Sequence, residues 1–299
     1  MIRPSIIMAV VMLLTAADAA AESPLVLKSF VPPEAVVVLG FDLEQGSYEG
    51  FGALATNFIT RDRAAARLRK IFAEAKVSLP SSAALVLEDG DGRVCTVLRF
   101  PDLEDSHWLR LEALMKVGGM VSSGPDAWAS AEAESGGSKT SVVRLEEKSV
   151  AVGDVELVGI VSSRTRKVAA KRLGDLLEQV PVLATAFFVA ARPTKEATSC
   201  ASAVTAHAVL DKGLLVEMRW DCPDVEAAQA WRDELSAAAK SPETSSEFAS
   251  RPRVLALWRG ALVQRVGDDV MLVATATNES LRALLEEVST ELSLAFDSP

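Results

Sequence analysis

The chain has 299 residues, a formal net charge of −10 and a hydrophobic content of 49%, a composition typical of a globular protein that buries a core. The acidic balance argues against a nucleic-acid partner, because binding a polyphosphate needs clustered positive charge. Histidine, the usual general base near neutral pH, occurs only twice, which makes common acid–base sites scarce.

The first 21 residues have the three parts of a secretory signal peptide. Arg3 supplies a basic start, an apolar run occupies residues 6–14, and an A-x-A cleavage site ends at Ala21. That run is too short to span a bilayer, and charges or turn residues interrupt every later apolar run. No cysteine lies near the cleavage point. We therefore expect a mature protein without a lipid anchor or membrane span, located in the periplasm or outside the cell.

Short strands alternate with amphipathic helices along the first part of the mature chain. The hairpin turned at Asp89-Gly90-Asp91-Gly92 is the strongest local signal, and the alternation Val143-Arg144-Leu145 indicates a strand with one wet face. The predicted elements are a strand at 35–43, a helix within 48–75, strands at 83–88 and 93–100, a helix capped by Asp105 or Ser106, a Gly/Ser-rich loop, strands at 127–133, 140–146, 150–152 and 156–161, and a helix at 164–179.

The remainder repeats this order, which predicts an internal duplication. The predicted elements are a strand at 184–191, a hairpin turned at Asp211-Lys212-Gly213, a helix opened by Asp224 with Val225, Ala228, Trp231 and Leu235 inward, a hairpin turned at Gly267-Asp268-Asp269, and a helix capped by Thr277 or Asn278. The segments LRFPDLEDSHWLRLEAL and MRWDCPDVEAAQAWRDEL correspond, as do VGDVELVGIV and VGDDVMLVAT. The alternative is a single mixed sheet with accidental similarity.

Consecutive hairpins favour antiparallel pairing, so the predicted fold class is α+β. It comprises two similar units, each a mostly antiparallel sheet with helices packed on one face. After the signal peptide at 1–21, the first unit covers residues 22–181 and the second covers 182–299.

Three cysteines are present, and export places them where disulfides persist. In the predicted second-unit hairpin Leu210 faces Leu214, which puts Cys200 diagonal to Cys222 on one face of the ladder. We therefore predict a Cys200–Cys222 disulfide, the alternative being two buried thiols. Cys95 lies in mid-strand and is expected to be an inert core residue.

No recognised catalytic or metal-binding motif occurs in the sequence. The acidic turn at residues 89–92 lacks the further ligands of a calcium loop, and the strand that follows it indicates ordinary turn chemistry. His107 and His207 are far apart and lack a predicted partner, so we expect packing roles. The tryptophans fall at inward positions and are expected in the core. No cofactor is predicted.

Two basic segments stand out in this acidic chain. They contain Arg61, Arg63, Arg67 and Lys70, and Arg164, Arg166, Lys167 and Lys171. If the two faces lie side by side, they form a patch that could hold an anionic partner through bidentate arginine contacts. The alternative is two solvated helix faces balanced by neighbouring carboxylates.

The chain resembles exported bacterial proteins with a duplicated strand–helix–hairpin–helix unit, a domain of unknown function. The resemblance rests on Pro33 followed by the apolar strand that ends at Asp42, and on Gly153-Asp154 and Gly267-Asp268. It implies a fold and a location, and no activity.

The expected function is that of a non-enzymatic exported protein that binds an unknown protein or envelope component. One alternative is a hydrolase whose acid and base converge only in the folded chain. The other is a structural component of an envelope assembly.

Overall fold

The structure is a computed structural model that describes residues 23–42, 82–100, 102–130, 139–146, 148–163, 171–191, 203–210, 213–240, 252–277 and 279–280. These residues form two compact units, with the boundary between Gly174 and Asp175. The domain boundary predicted between residues 181 and 182 stays a prediction. Among the helices in these ranges, none has both the length and the apolar character needed to cross a bilayer.

The first unit is an antiparallel sheet of seven strands in the order β1-β2-β3-β7-β6-β5-β4. Its elements are a 3₁₀ helix at Pro24–Phe30, β1 Ala35–Asp42, β2 Ala83–Asp89, β3 Val94–Arg99, α1 Asp105–Val117, β4 Met120–Gly124, β5 Ala127–Ser130, β6 Thr140–Leu145, β7 Ser149–Asp154, α2 Val155–Ser162 and α3 Lys171–Leu177, which crosses the boundary. The 3₁₀ helix contacts β1, β2 and β3, whereas α2 contacts β3, β6 and β7.

The second unit is a five-stranded antiparallel sheet in the order β8-β9-β10-β12-β11. Its elements are β8 Ala186–Ala190, β9 Ala203–Leu210, β10 Gly213–Asp221, α4 Val225–Lys240, α5 Pro252–Arg259, β11 Leu262–Val266 and β12 Asp269–Thr277. Strand β10 alternates buried and more exposed residues. The buried set, Leu214 to Trp220, faces α4, because Trp220 contacts Trp231 of that helix.

The two units share a pattern of strands and helices. The order β1-β2-β3-β7-β6 in the first unit corresponds to β8-β9-β10-β12-β11 in the second. In each unit a helix follows the third strand, and the last two strands form a hairpin. The first unit adds β4 and β5 at its outer edge. The α+β class with antiparallel sheets is confirmed, whereas the duplication stays a prediction.

Most strongly signalled elements are confirmed. The hairpin turned at Asp89 joins β2 and β3, and Leu210 pairs with Leu214 as predicted. Asp224 caps α4, since the backbone N–H of Ala227 donates to its Oδ1 over 2.8 Å. The hydroxyl of Thr277 accepts from the backbone N–H of Ser280 over 3.3 Å, as expected of a helix cap. Residues 281–299 lie outside the described residues.

The strand predicted at residues 156–161 is wrong, because this segment lies in helix α2. The side chain of Asp154 accepts hydrogen bonds from the backbone N–H groups of Glu156 and Leu157, at 2.9 and 3.4 Å, and so caps the helix. An unbroken apolar run does not distinguish a buried strand from a buried helix. The cap and the packing on β6 and β7 decide in favour of the helix.

Smaller errors concern elements with weak local signals. The predicted Gly/Ser-rich loop contains strand β4, which pairs with β5, and α5 was not predicted. Helix α1 is preceded by Glu104 in the capping position, rather than by Asp105 or Ser106. Val225, predicted to point inward, is 53% exposed, because it occupies the first turn of α4, beyond the part that covers the sheet.

Candidate functional site

The basic residues predicted to form an anion-binding patch are not placed by the structure. Arg61, Arg63, Arg67, Lys70, Arg164, Arg166 and Lys167 lie outside the described residues, and Lys171 begins α3 with no description of its side chain. The patch therefore stays a prediction.

The predicted disulfide also stays a prediction, since Cys200 lies outside the described residues. Cys222 follows β10 and is 3% exposed. Its backbone N–H donates to the carbonyl of Asp268 in the β11–β12 turn over 3.3 Å. Cys95 is a buried thiol on β3, which agrees with the expected core position.

The main candidate site is a cleft of about 950 Å³ in the first unit, beside the β4–β5 and β6–β7 turns. Its apolar lining comes from β5, β6 and α2, whereas its charged lining comes from the turns, the start of α1 and Arg144 of β6. Among the described residues, the charged lining consists of Asp105, Asp126, Arg144, Glu146 and Lys148, and the apolar lining includes Ala127, Val143, Leu145 and Val161.

Arg144 has two partners at this cleft. Its Nη2 donates to Oδ1 of Asp105 over 2.6 Å, and its Cζ lies 5.9 Å from the ring centroid of Trp108. A guanidinium over an indole face is attracted by the ring quadrupole. The ion pair and the ring together limit the rotamers of Arg144. The guanidinium N–H groups that do not bond to Asp105 therefore point in a limited range of directions.

A second group of hydrogen bonds supports Trp108. The indole N–H groups of Trp108 and Trp128 both donate to Oε1 of Glu112, over 3.1 and 3.3 Å. Glu112 and Trp108 lie on α1, and Trp128 lies on β5, so this carboxylate joins the helix to the sheet. The ring under Arg144 is thereby held by the surrounding structure.

Two residues of the cleft have left-handed backbone conformations. Asp126 has a φ of 56° and Lys148 a φ of 57°, and among the described non-glycine residues these two alone have a positive φ. The conformation costs roughly 1–2 kcal/mol for a residue with a Cβ. Backbone hydrogen bonds hold both, because the carbonyls of Asp126 and Lys148 accept from Arg144 and Phe100 over 2.9 Å each.

A smaller cavity of about 400 Å³ lies along α2. Residues 30–34 form one wall, and Val155, Gly159 and Ile160 form another. Val161 and Ser163, at the end of α2, line both this cavity and the larger cleft. Helix α2 therefore contributes to both of these cavities.

The acidic turn at residues 89–92 is a structural turn, as predicted. Asp89 accepts from the backbone N–H groups of Asp91 and Arg93 at 2.9 and 3.0 Å, and from Nε of Arg93 at 2.6 Å. Arg93 also contacts Glu156 on α2. Burial would raise the pKa of Asp89, but the hydrogen bonds from Arg93 and Asp91 outweigh it and lower the pKa. Within the described ranges, no group of three or more potential ligands could hold a metal ion.

The two histidines have separate structural positions. The backbone N–H of Glu104 donates to Nδ1 of His107 over 3.4 Å at the start of α1. His207 is 6% exposed on β9, between Phe187 of β8 and Glu217 of β10. Burial lowers the pKa of His207, and the charge of Glu217 opposes that shift.

Sequence reasoning missed Arg144 as a site residue. The alternation Val143-Arg144-Leu145 placed its side chain on a wet face, but it gave no sign of its partners. Asp105 is 39 residues away in the chain, and no local pattern links the two.

Comparisons with known proteins give little further information. No family model matches the chain, and no curated protein matches it. A solved structure, crystal form I of TP0453, is similar over 90% of this chain and 98% of its own, with 12% sequence identity and a TM-score of 0.46. A similarity this low assigns neither a fold nor a function to the chain.

Proposed function

We propose that this chain is an exported interaction protein, which binds a segment of a partner protein in the charged cleft of the first unit. The arrangement around Arg144 carries the proposal, because an arginine that pairs with Asp105 and lies over Trp108 lines the same cleft as apolar residues and charges of both signs. The signal peptide expected at residues 1–21 places the mature chain in the periplasm or outside the cell.

The lining of the cleft favours a polypeptide ligand. Among the lining residues that the structure describes, two basic ones, Arg144 and Lys148, adjoin three acidic ones, Asp105, Asp126 and Glu146. A polyanion would meet three carboxylates, and like charges disfavour it. A polypeptide segment offers apolar side chains, both signs of charge and backbone hydrogen-bonding groups in one ligand. An anionic ligand at the predicted basic patch remains a separate prediction.

Preorganisation is the second support for a binding role. Ordering a long side chain on binding costs about 0.5–1.5 kcal/mol, and Asp105 and Trp108 already order Arg144 in the free protein. The left-handed residues Asp126 and Lys148 lie at the same cleft. Backbone strain of this kind concentrates at functional sites, which supports the choice of this cleft.

We further propose that the two units arose by duplication. The support is the equivalent strand order, together with the helix after the third strand in each unit. An acidic residue also precedes each of these two helices, since Glu104 is in the capping position of α1 and Asp224 caps α4. If the units are copies, the additional strands β4 and β5 are specific to the first one, and they form part of the cleft.

Site-specific photo-crosslinking tests the binding proposal. A photoreactive phenylalanine derivative replaces Ser162 in the cleft, with a matched replacement of the exposed Glu226 on α4 as control. We expect an envelope protein to crosslink from position 162 and not from position 226. The same experiment with Arg144→Glu should remove the product, whereas Arg259→Glu, which changes an exposed arginine at the end of α5, should retain it.

The crosslinked segment then defines the ligand. After identification by mass spectrometry, a synthetic peptide of that segment is titrated calorimetrically against the wild-type chain and the Arg144→Glu chain. Equal affinity for both chains would refute the cleft as the binding site. Equal crosslinking from positions 162 and 226 would also refute it.

A further inference from the structure

Strand β11 lies at the outer edge of the second unit's sheet. It pairs with β12 on one side, and among the strands of the described ranges none pairs with its other side. An edge strand presents unpaired backbone N–H and C=O groups, which form a template for another strand. The partner that can satisfy these backbone groups is therefore an extended segment.

The features that usually prevent edge pairing are few at β11. Strand β4, the outer strand of the first unit, carries an irregularity between Ser122 and Gly124. Strand β11 pairs in continuous register over its five residues and contains neither proline nor lysine. Its charged residue is Arg265. Short strands, charged side chains, bulges and prolines are common protective devices. β11 has a short length and one arginine, but it lacks the irregularity that interrupts β4.

One face of β11 carries two exposed apolar side chains on either side of Gln264. Leu262 is 59% exposed and Val266 is 48% exposed. They lie on the face of the sheet opposite α4. Their partners on β12, Val273 and Asp269, alternate along that strand with Val270 and Leu272, which are buried on the α4 face. The half-buried Met271 and Val273 of β12 share that face. Two exposed apolar side chains on an unpaired edge favour an interface with another chain.

We propose that β11 pairs antiparallel with β11 of a second copy of this chain, about a twofold axis at Gln264. This register sets Leu262 opposite Val266 of the partner copy, and it does so twice because the axis is twofold. Val263 lies opposite Arg265, and Gln264 lies opposite itself. Two apolar cross-strand pairs therefore form, and no like charges lie directly opposite each other.

The self-complementary sequence is the reason for choosing a second copy over another protein. Leu262 and Val266 lie symmetrically about Gln264, so one register pairs these two exposed apolar residues in both strands. The net charge of −10 on each copy opposes association at long range. Salt screens that repulsion, so the dimer should become tighter as the ionic strength rises. This surface lies in the second unit and is independent of the proposed cleft.

Sedimentation velocity of the mature chain over a concentration series, at low and moderate salt, measures the association. We expect a monomer–dimer equilibrium for the wild type. In Leu262→Lys with Val266→Lys, the introduced charges face each other, and the dissociation constant should rise about tenfold or more. Val121→Lys, which changes a similarly exposed valine on β4, is the matched control and should leave the equilibrium unchanged.

Charge complementation identifies the partner as a second copy. A chain with Leu262→Glu and Val266→Glu should pair with the double-lysine chain more tightly than either pairs with itself. Circular dichroism checks that both variants fold, which their exposed positions predict. A wild type that stays monomeric at all concentrations would overturn the proposal. A dimer that both double variants retain, or mixed copies that fail to pair, would also overturn it.

Discussion

Trp220 of β10 and Trp231 of α4 pack edge to face, with 6.1 Å between their ring centroids and 75° between their planes. Both side chains are at least 95% buried, and both indole N–H groups lack a hydrogen-bond acceptor. Such aromatic pairs contribute about 0.5–1.5 kcal/mol beyond the burial of their surface. The contact joins α4 to the sheet of the second unit, so it stabilises that unit as a whole.

Substitution of Trp231 separates the contribution of ring packing from that of the indole N–H. Trp231→Ala should lower the free energy of unfolding by about 3–5 kcal/mol, because it leaves a large cavity. Trp231→Phe keeps an aromatic ring and removes an unsatisfied donor, so its cost should be less than half as large. Urea denaturation followed by circular dichroism measures both. Equal costs for the two variants would show that the ring contact is unimportant.

The ion pair between Asp89 and Arg93 predicts a pH-dependent contribution to stability. The pKa of Asp89 lies below its ordinary value of 3.8 in the folded chain. A lowered pKa means that the contribution is complete above the unfolded value and is lost as the pH falls through the folded value. Asp89→Asn should therefore cost about 1–3 kcal/mol at pH 7, and the difference from the wild type should shrink below about pH 4.

Asp91→Asn is the matched control for this measurement. Asp91 contacts the same arginine, but its side chain is 78% exposed, so the change should have a small effect. Urea midpoints of the three chains between pH 3 and pH 7 give the comparison. An Asp89→Asn effect that stays constant down to pH 3 would contradict the assignment.

Two glycines of the first unit should respond to alanine in opposite directions. Gly153 has a φ of 149°, and a Cβ there would collide with the backbone oxygen of Val94. Gly153→Ala should therefore cost about 1–3 kcal/mol or more. Gly159 lies inside α2, and an added Cβ would meet nothing within 4 Å.

Gly159→Ala should stabilise the chain by roughly 0.5–1 kcal/mol, because alanine loses less backbone entropy than glycine in a helix. Thermal unfolding of both variants beside the wild type tests the pair. A stabilising Gly153→Ala would show that β3 and β7 approach less closely than the structure indicates.

The predicted Cys200–Cys222 disulfide can be tested by alkylation of the secreted chain. The observed register pairs Ala203 with Asp221, and its continuation would place residue 200 diagonal to residue 222 on one face. Alkylation of the unfolded, unreduced chain should then modify Cys95 alone. A bridge of this span contributes about 3 kcal/mol in the loop-entropy description, so Cys222→Ser should lower the unfolding midpoint. Three alkylated cysteines would rule the bridge out.

Local signals predicted much of the fold. The hairpin at Asp89 and the cap at Asp224 act within a few residues, so the sequence alone was sufficient to find them. The prediction for residues 155–162 was wrong because an apolar run fits a strand or a helix equally well. Strand β4 was not predicted because its Gly- and Ser-rich sequence resembles a loop, and only its pairing with β5 makes it a strand.

The candidate cleft lay beyond sequence reasoning for a related reason. It combines the start of α1, the turns at Asp126 and Lys148, and the end of α2. The sequence placed Arg144 on a strand, but the side chains around it come from elements that meet only after the sheet forms. The inward position of Trp108 on its helix predicted a core side chain. It did not predict the contact between that ring and Arg144.

By itself the sequence determined the alternation of strands and helices, the antiparallel hairpins and several helix ends, because turn and cap residues act through neighbours in the chain. The tertiary structure alone decided that residues 155–162 are helical, that β4 completes a sheet and that Arg144 meets Asp105. These features depend on packing between distant segments, and the same local sequence is compatible with more than one arrangement until that packing selects one.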